Sequence, residues 1–172
     1  MVTLITGGAR SGKSRQALKI ATSAKDKAFI ATAQPLDEEM SQRISQHQAE
    51  REAGWDLYEE SVKLADCIER VAQTHDLILI DCLTLWLFHL GEAGEETTKQ
   101  EISRLLTLLK KPSVDIIFVT NEIGLGLVPE AKESREFRDQ MGFLNQQVAE
   151  LADQVIFMVS GQPLIIKNSH ES

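Results

Sequence analysis

Apolar residues fall along this chain in two rhythms that alternate. Short unbroken runs, "VTLIT" (2–6), "KAFIATA" (27–33), "LILIDC" (77–82) and "VDIIFVTN" (114–121), read as strands buried on both faces. Between them apolar positions recur at helical spacing. Ala17, Leu18, Ala21 and Ala24 mark a helix over 14–24, and Leu64, Cys67, Ile68 and Val71 line one face of a helix over 61–74. "LTLWLFHL" after residue 82 predicts an apolar helix, and a charged helical stretch spans about 37–52. "DLYEE" (56–60) reads as a short extended piece.

Further along, "GEAGEET" (91–97) reads as a solvated loop. Thr98 followed by Glu101 is a capping-box pattern, which predicts a helix from there to about Lys110, stopped by Pro112. A Gly-rich turn, "EIGLGLVPE" (122–130), leads to a long helix over about 134–152. "QVIFMVSG" (154–161) and "PLIIK" (163–167) read as strands, a candidate C-terminal antiparallel hairpin around Gly161-Gln162.

Strands alternating with helices predict an α/β fold, a mostly parallel sheet flanked by helices, with 1–172 forming a single domain. Ligands of such sheets bind beyond the carboxyl ends of the strands, which directs attention to loops 7–14, 31–36, 81–86 and 120–130.

The first of these loops carries the clearest chemistry. "TGGARSGKSRQ" (6–16) fits G-x-x-x-x-G-K-[ST] through Gly7, Gly12, Lys13 and Ser14, with a strand before it and a helix after it. Glycines let successive backbone N–H groups turn inward around an oxyanion, and the following helix points its positive end at the same place. Gly7, Gly8, Ala9, Arg10, Ser11, Gly12, Lys13 and Ser14 are therefore candidate nucleotide contacts. Lys13 would reach the β- and γ-phosphates, and the Ser14 hydroxyl would sit on Mg²⁺. A P-loop protein commonly holds that ion with an acidic residue at the end of another buried strand. Asp81 fits, ending four apolar residues where a lone carboxylate would be costly to bury. The alternative for Asp81 is the N-cap of the helix that follows.

Composition narrows the partners. A formal charge of −8 argues against a broad nucleic-acid surface, which needs clustered Lys and Arg. No apolar run approaches the ~20 residues needed to span a bilayer, so an integral membrane protein is not expected. The phosphate loop begins where the apolar stretch of a signal peptide would lie. Cys67 and Cys82 have no metal-ligand spacing and read as buried thiols of a reducing compartment, which points to the cytoplasm.

One further segment, "SQRISQHQAEREAGW" (41–55), is unusual. Read as helix, Arg43, His47 and Arg51 share a face at i, i+4 and i+8. An imidazole between two guanidiniums is an unfavourable place for another positive charge, which predicts a neutral, nucleophilic ring near pH 7. That suits covalent nucleotidyl transfer, in which His attacks an α-phosphorus and pyrophosphate leaves. A general-base role and a solvated surface histidine remain alternatives. His75, His89 and His170 have no such neighbours.

Taken in order, "TGGARSGKSR", "IATAQ.LDEEM..RI..H...R", "TNEIGLGLVPE" and "FRD" resemble the bifunctional adenosylcobinamide kinase / adenosylcobinamide-phosphate guanylyltransferase family of cobalamin (vitamin B12) biosynthesis, from Thr3 to about Lys167. The resemblance implies phosphorylation of the aminopropanol hydroxyl of adenosylcobinamide by a nucleoside triphosphate, ATP or GTP. It then implies transfer of GMP from GTP onto that phosphate, with adenosylcobinamide-GDP and pyrophosphate as products. By position, His47 matches the family's guanylylated histidine and Gly7 to Ser14 its phosphate loop. Ala31, Thr32 and Ala33 match a nucleotide-contacting stretch, and Gln48, Ala49, Glu50, Arg51, Glu59 and Asp81 match further GTP contacts. Where some members carry two adjacent histidines, this chain has Gln46-His47. A RecA-like P-loop fold and a homotrimer are implied as well. Two competing functions are a monofunctional P-loop small-molecule kinase, with His47 a bystander, and a nucleotide-dependent regulatory switch.

Overall fold

The computed structural model describes residues 1–34 and 54–169. Its elements are β1 (Val2–Gly7), α1 (Lys13–Ile20), β2 (Lys27–Ala31), β3 (Trp55–Glu59), α2 (Leu64–Val71), β4 (Leu77–Asp81), α3 (Leu83–Ala93), α4 (Glu95–Leu109), β5 (Asp115–Val119), α5 (Lys132–Leu151), β6 (Gln154–Val159) and β7 (Gln162–Asn168). The seven strands form one sheet in the order β3-β2-β4-β5-β1-β6-β7. All neighbours are parallel except β6 and β7, the antiparallel hairpin at the end.

The unbroken apolar runs are explained by burial on both faces. In β4, Ile78 and Ile80 join the larger core with α2, α3, α4 and α5, while Leu77 and Leu79 face the smaller core with Ala17 of α1 and Ala21. The same split divides Val2 and Leu4 from Ile5, and Ile116 and Phe118 from Ile117 and Val119. Alternate side chains of a strand point to opposite faces, so each run must be apolar throughout to fill both cores. The extended piece "DLYEE" becomes the edge strand β3, paired with β2 from Lys27↔Trp55 to Ala31↔Glu59.

Register aligns the carboxyl ends of these strands. Glu59 pairs with Ala31, Ala31 with Asp81, Asp81 with Val119, and Val119 with Ile5. One row thus crosses the sheet from β3 to the strand that launches the glycine loop. At the far edge, β7 exposes Leu164, Ile165 and Ile166.

Three local expectations are corrected. Residues 91–97 are not a loop: α3 runs to Ala93, α4 starts at Glu95, and Gly94 alone separates them. Its φ of 103° provides the break in a single residue, a conformation that favours glycine. Thr98 and Glu101 do not form a capping box, because both side chains are engaged elsewhere. Thr98 Oγ1 is paired with the carbonyls of Leu90 and Gly94, locking the helix junction. Glu101 turns inward, buried, and accepts from Lys63 Nζ at 2.8 Å. The hairpin turn is also displaced by one residue, to Ser160-Gly161. Both residues have positive φ, 51° and 80°, as a two-residue hairpin connection of the I′ kind requires.

Candidate active site

The glycine loop joins β1 to α1 and takes its shape from close packing against β6. A Cβ on Gly7 would stand 2.5 Å from the Met158 carbonyl and 2.9 Å from Ser11 Oγ, at a φ of +148°. Gly12, at φ +95°, caps α1. Two backbone bonds tie the loop to its neighbours: Gly161 N–H donates to Ser11 O at 3.0 Å, and Glu122 N–H to Gly7 O at 3.0 Å. Gly8, Ala9 and Arg10 are exposed at the mouth, while the Ser11 and Lys13 side chains are buried.

Lys13 folds back over the loop, with Nζ donating to Gly8 O at 2.6 Å. Burial pushes its ammonium below the usual lysine range, and the Asp81 carboxylate opposes that shift. Ser14 Oγ donates to Asp81 Oδ2 at 2.7 Å. The structure thus brings together the lysine, the hydroxyl and the strand-end carboxylate named from the sequence. Asp81 precedes α3, whose cap position belongs to Cys82 and shows no side-chain capping bond.

The donor set fits a small hard cation. One hydroxyl and one carboxylate oxygen at hydrogen-bond separation suit Mg²⁺, which takes few protein ligands and completes its shell with water and phosphate oxygens. Among the described residues no group of three or more His, Cys, Asp or Glu is arranged to hold a metal, so a site built wholly from such protein ligands is not among them.

Behind Asp81 lies an anchor that sequence reasoning did not assign. Thr32, fully buried, donates through Oγ1 to Cys82 O at 2.7 Å and accepts from Cys82 N–H at 2.8 Å. Its own N–H donates to Asp81 O at 3.3 Å. The side chain is thereby committed to holding the ends of β2 and β4 together. Ala31 and Ala33 flank it, half-buried, and Glu59 is exposed at the end of β3. With strands ~4.8 Å apart, Glu59 sits about 10 Å from Asp81, two strands along the row. The Cys82 thiol is pushed up to about 11 by burial and by the Asp81 charge, which leaves it un-ionised and no nucleophile at neutral pH.

A second polar brace holds the exit of β5. Thr120 Oγ1 donates to Asn145 Oδ1 at 2.8 Å, Asn145 Nδ2 to Asn121 O at 3.1 Å, and Asn121 N–H to Thr84 Oγ1 at 2.9 Å. Nothing in the local pattern signals this network, since its members come from α3, α5 and the segment that follows β5.

The remaining candidates divide simply. His47, Gln48, Ala49, Glu50 and Arg51, with Arg43, lie outside the described residues, as does His170. His75 is a buried structural residue, with Nδ1 3.0 Å from Val71 O and Nε2 3.0 Å from Asp56 Oδ2. His89 is buried beside Glu92 at 3.2 Å. Among the described residues no helix is long and apolar enough to cross a membrane.

Comparison with known proteins agrees over nearly the full length. Residues 3–166 match the family described as cobinamide kinase / cobinamide phosphate guanyltransferase. The chain is 43% identical over 169 residues to the bifunctional adenosylcobalamin biosynthesis protein CobP of Pseudomonas aeruginosa, covering 97% of this chain and 98% of that one. It is 39% identical over 181 residues to the protein CobU of Salmonella typhimurium, which bears the same description, covering 97% of this chain and all of that one. In fold it is similar to an ATPase from the type III secretion system of pathogenic bacteria, with a TM-score of 0.59 at 15% identity. That match covers 91% of this chain and 50% of the ATPase.

Proposed function

The chain belongs to the cobinamide kinase / cobinamide phosphate guanyltransferase family, and from that premise we propose that it carries out both reactions on one phosphate loop. First it phosphorylates the hydroxyl of adenosylcobinamide with ATP or GTP. Then it transfers GMP from GTP to adenosylcobinamide phosphate. The observation that carries this reading is the cluster of Lys13, Ser14 and Asp81 at the mouth of the loop.

In the kinase step the loop amides and Lys13 neutralise charge on the transferring γ-phosphoryl group, which is where positioning and electrostatics do most of the catalysis. Burial makes the Lys13 ammonium effective, because a charge with few waters around it interacts strongly with an incoming phosphate. Ser14 and Asp81 would hold Mg²⁺, which when bound screens the β- and γ-phosphate oxygens. Asp81 keeps its place through the Thr32 anchor on the next peptide.

In the transfer step the His47 imidazole attacks the α-phosphorus of GTP. A P–N bond forms, the bond to the β-phosphate oxygen breaks, and pyrophosphate departs from the glycine loop. A phosphate oxygen of adenosylcobinamide phosphate then attacks the guanylyl phosphorus and releases the histidine. Gln48, Ala49, Glu50, Arg51, Glu59 and the 31–33 stretch contact the nucleotide. The exposed aliphatic row of β7 supports assembly as a homotrimer, and the free, buried thiols of Cys67 and Cys82 support a reducing, cytoplasmic site.

The test is transfer of labelled γ-phosphate from ATP or GTP to adenosylcobinamide by wild type and Asp81→Asn. Wild type is expected to phosphorylate the corrinoid, with kcat in Asp81→Asn reduced at least a hundredfold. Equal rates would remove Asp81 from the chemistry.

A further inference from the structure

The segment after β5 carries a feature that phosphate chemistry leaves unused. Leu125, Leu127 and Val128 are 76%, 96% and 68% exposed, three aliphatic side chains within four positions. They contribute little to the core, and yet both ends of their loop are fixed. At the start, Asn121 is braced by Thr84 and Asn145, and Glu122 N–H is bonded to the glycine loop at Gly7 O. At the end, Arg135 Nη1 donates to the carbonyls of Pro129 at 3.0 Å and Glu130 at 2.5 Å. The result is a held platform with apolar side chains turned to solvent.

Its place in the sheet is informative. β5 lies between β4 and β1, so the chain leaving it emerges between Asp81 and the phosphate loop. An acceptor that delivers a hydroxyl to the terminal phosphate must approach this gap. Exposed aliphatic side chains at the rim of a polar site mark a surface that packs against a ligand or partner. The triphosphate has its own polar cradle and no use for it.

Building on the functional reading above, we infer that Leu125, Leu127 and Val128 form the surface on which the corrin macrocycle of the acceptor packs, setting affinity and specificity for the corrinoid. The loop that carries these side chains is tied to the phosphate loop by the Glu122–Gly7 bond, which links macrocycle position to that of the reacting arm.

The experiment measures phosphoryl transfer from GTP with adenosylcobinamide varied, for wild type, Leu125→Gln and Leu127→Gln, alongside molar mass by light scattering. Removing apolar contact of this kind should raise KM for adenosylcobinamide about tenfold or more in each variant. KM for GTP and the molar mass should stay unchanged. An unchanged KM for adenosylcobinamide overturns the inference. So does a changed molar mass, which would make the patch a contact between copies of the chain. A wild-type chain that phosphorylates no adenosylcobinamide would sink the functional reading itself, and the inference with it.

Discussion

Thr32→Val isolates the anchor beneath the Asp81 carboxylate. The substitution keeps volume nearly constant and removes one hydroxyl that is fully buried. In the wild type that hydroxyl accepts from Cys82 N–H and donates to Cys82 O. The two losses are unequal. Cys82 O retains the N–H of Trp86 at 3.1 Å, the first bond of α3, so it forfeits only an additional partner, about 0.5–1.5 kcal/mol. The Cys82 N–H is left buried with its hydroxyl partner gone, at about 1–3 kcal/mol. Together these predict a loss of about 1.5–4.5 kcal/mol for Thr32→Val. Thr32→Ser keeps the hydroxyl and loses one buried methyl, about 1 kcal/mol. Urea denaturation of the three proteins should show the midpoint falling in the order wild type, Ser, Val, with the slope unchanged. Because Asp81 is joined to Cys82, kcat/KM for phosphoryl transfer should fall further in Val than in Ser. Equal stability of the Val and Ser variants would refute the bridging role of the hydroxyl.

Two other expectations follow from the glycine loop. Gly7→Ala should cost roughly 2 kcal/mol or more and weaken nucleotide binding, since its Cβ meets the Met158 carbonyl at 2.5 Å and its φ is positive. Gly8→Ala, whose Cβ would have nothing within 4 Å, should unfold within about 0.5 kcal/mol of wild type. Equal urea midpoints for the two variants would contradict the packing of the loop on β6. Lys13 gives a pH signature. Its folded value lies below the ordinary 10.5, so the unfolded chain binds the extra proton between those two values and stability rises with pH there. Lys13→Met lacks this dependence. Wild-type stability measured against it should therefore climb as pH rises toward 10.5, while Lys13→Met loses phosphoryl transfer. A flat difference would mean that burial of the ammonium carries no penalty.

The strands and the phosphate loop were legible because their signals are local. A strand buried on both faces must be apolar at every position, and the glycine loop needs particular residue types at fixed spacing. Asp81 stood out for the same reason, a carboxylate closing an apolar run. Tertiary devices were not legible. Thr32 reads as one more β-branched residue of a strand, and only the pairing of β2 with β4 brings its hydroxyl to Cys82. The brace formed by Thr84, Thr120 and Asn145 draws on three separate stretches of the chain. Residues 91–97 are largely exposed, as their charge suggests, but charge and glycine content do not separate an exposed helix from a loop. One glycine with positive φ suffices there, with Glu92 in the last turn of α3 and Glu95 and Glu96 in the first turn of α4. Thr98 and Glu101 had the spacing of a cap, but Lys63 and the helix junction claim their side chains.

The covalent half of the proposal meets its most direct test in intact mass after incubation with GTP and Mg²⁺, for wild type and His47→Ala. A gain of one guanylyl group on wild type, acid-labile, alkali-stable and absent from His47→Ala, is the predicted result. Wild type that phosphorylates adenosylcobinamide yet gains no such mass would contradict the account and leave the protein a kinase alone.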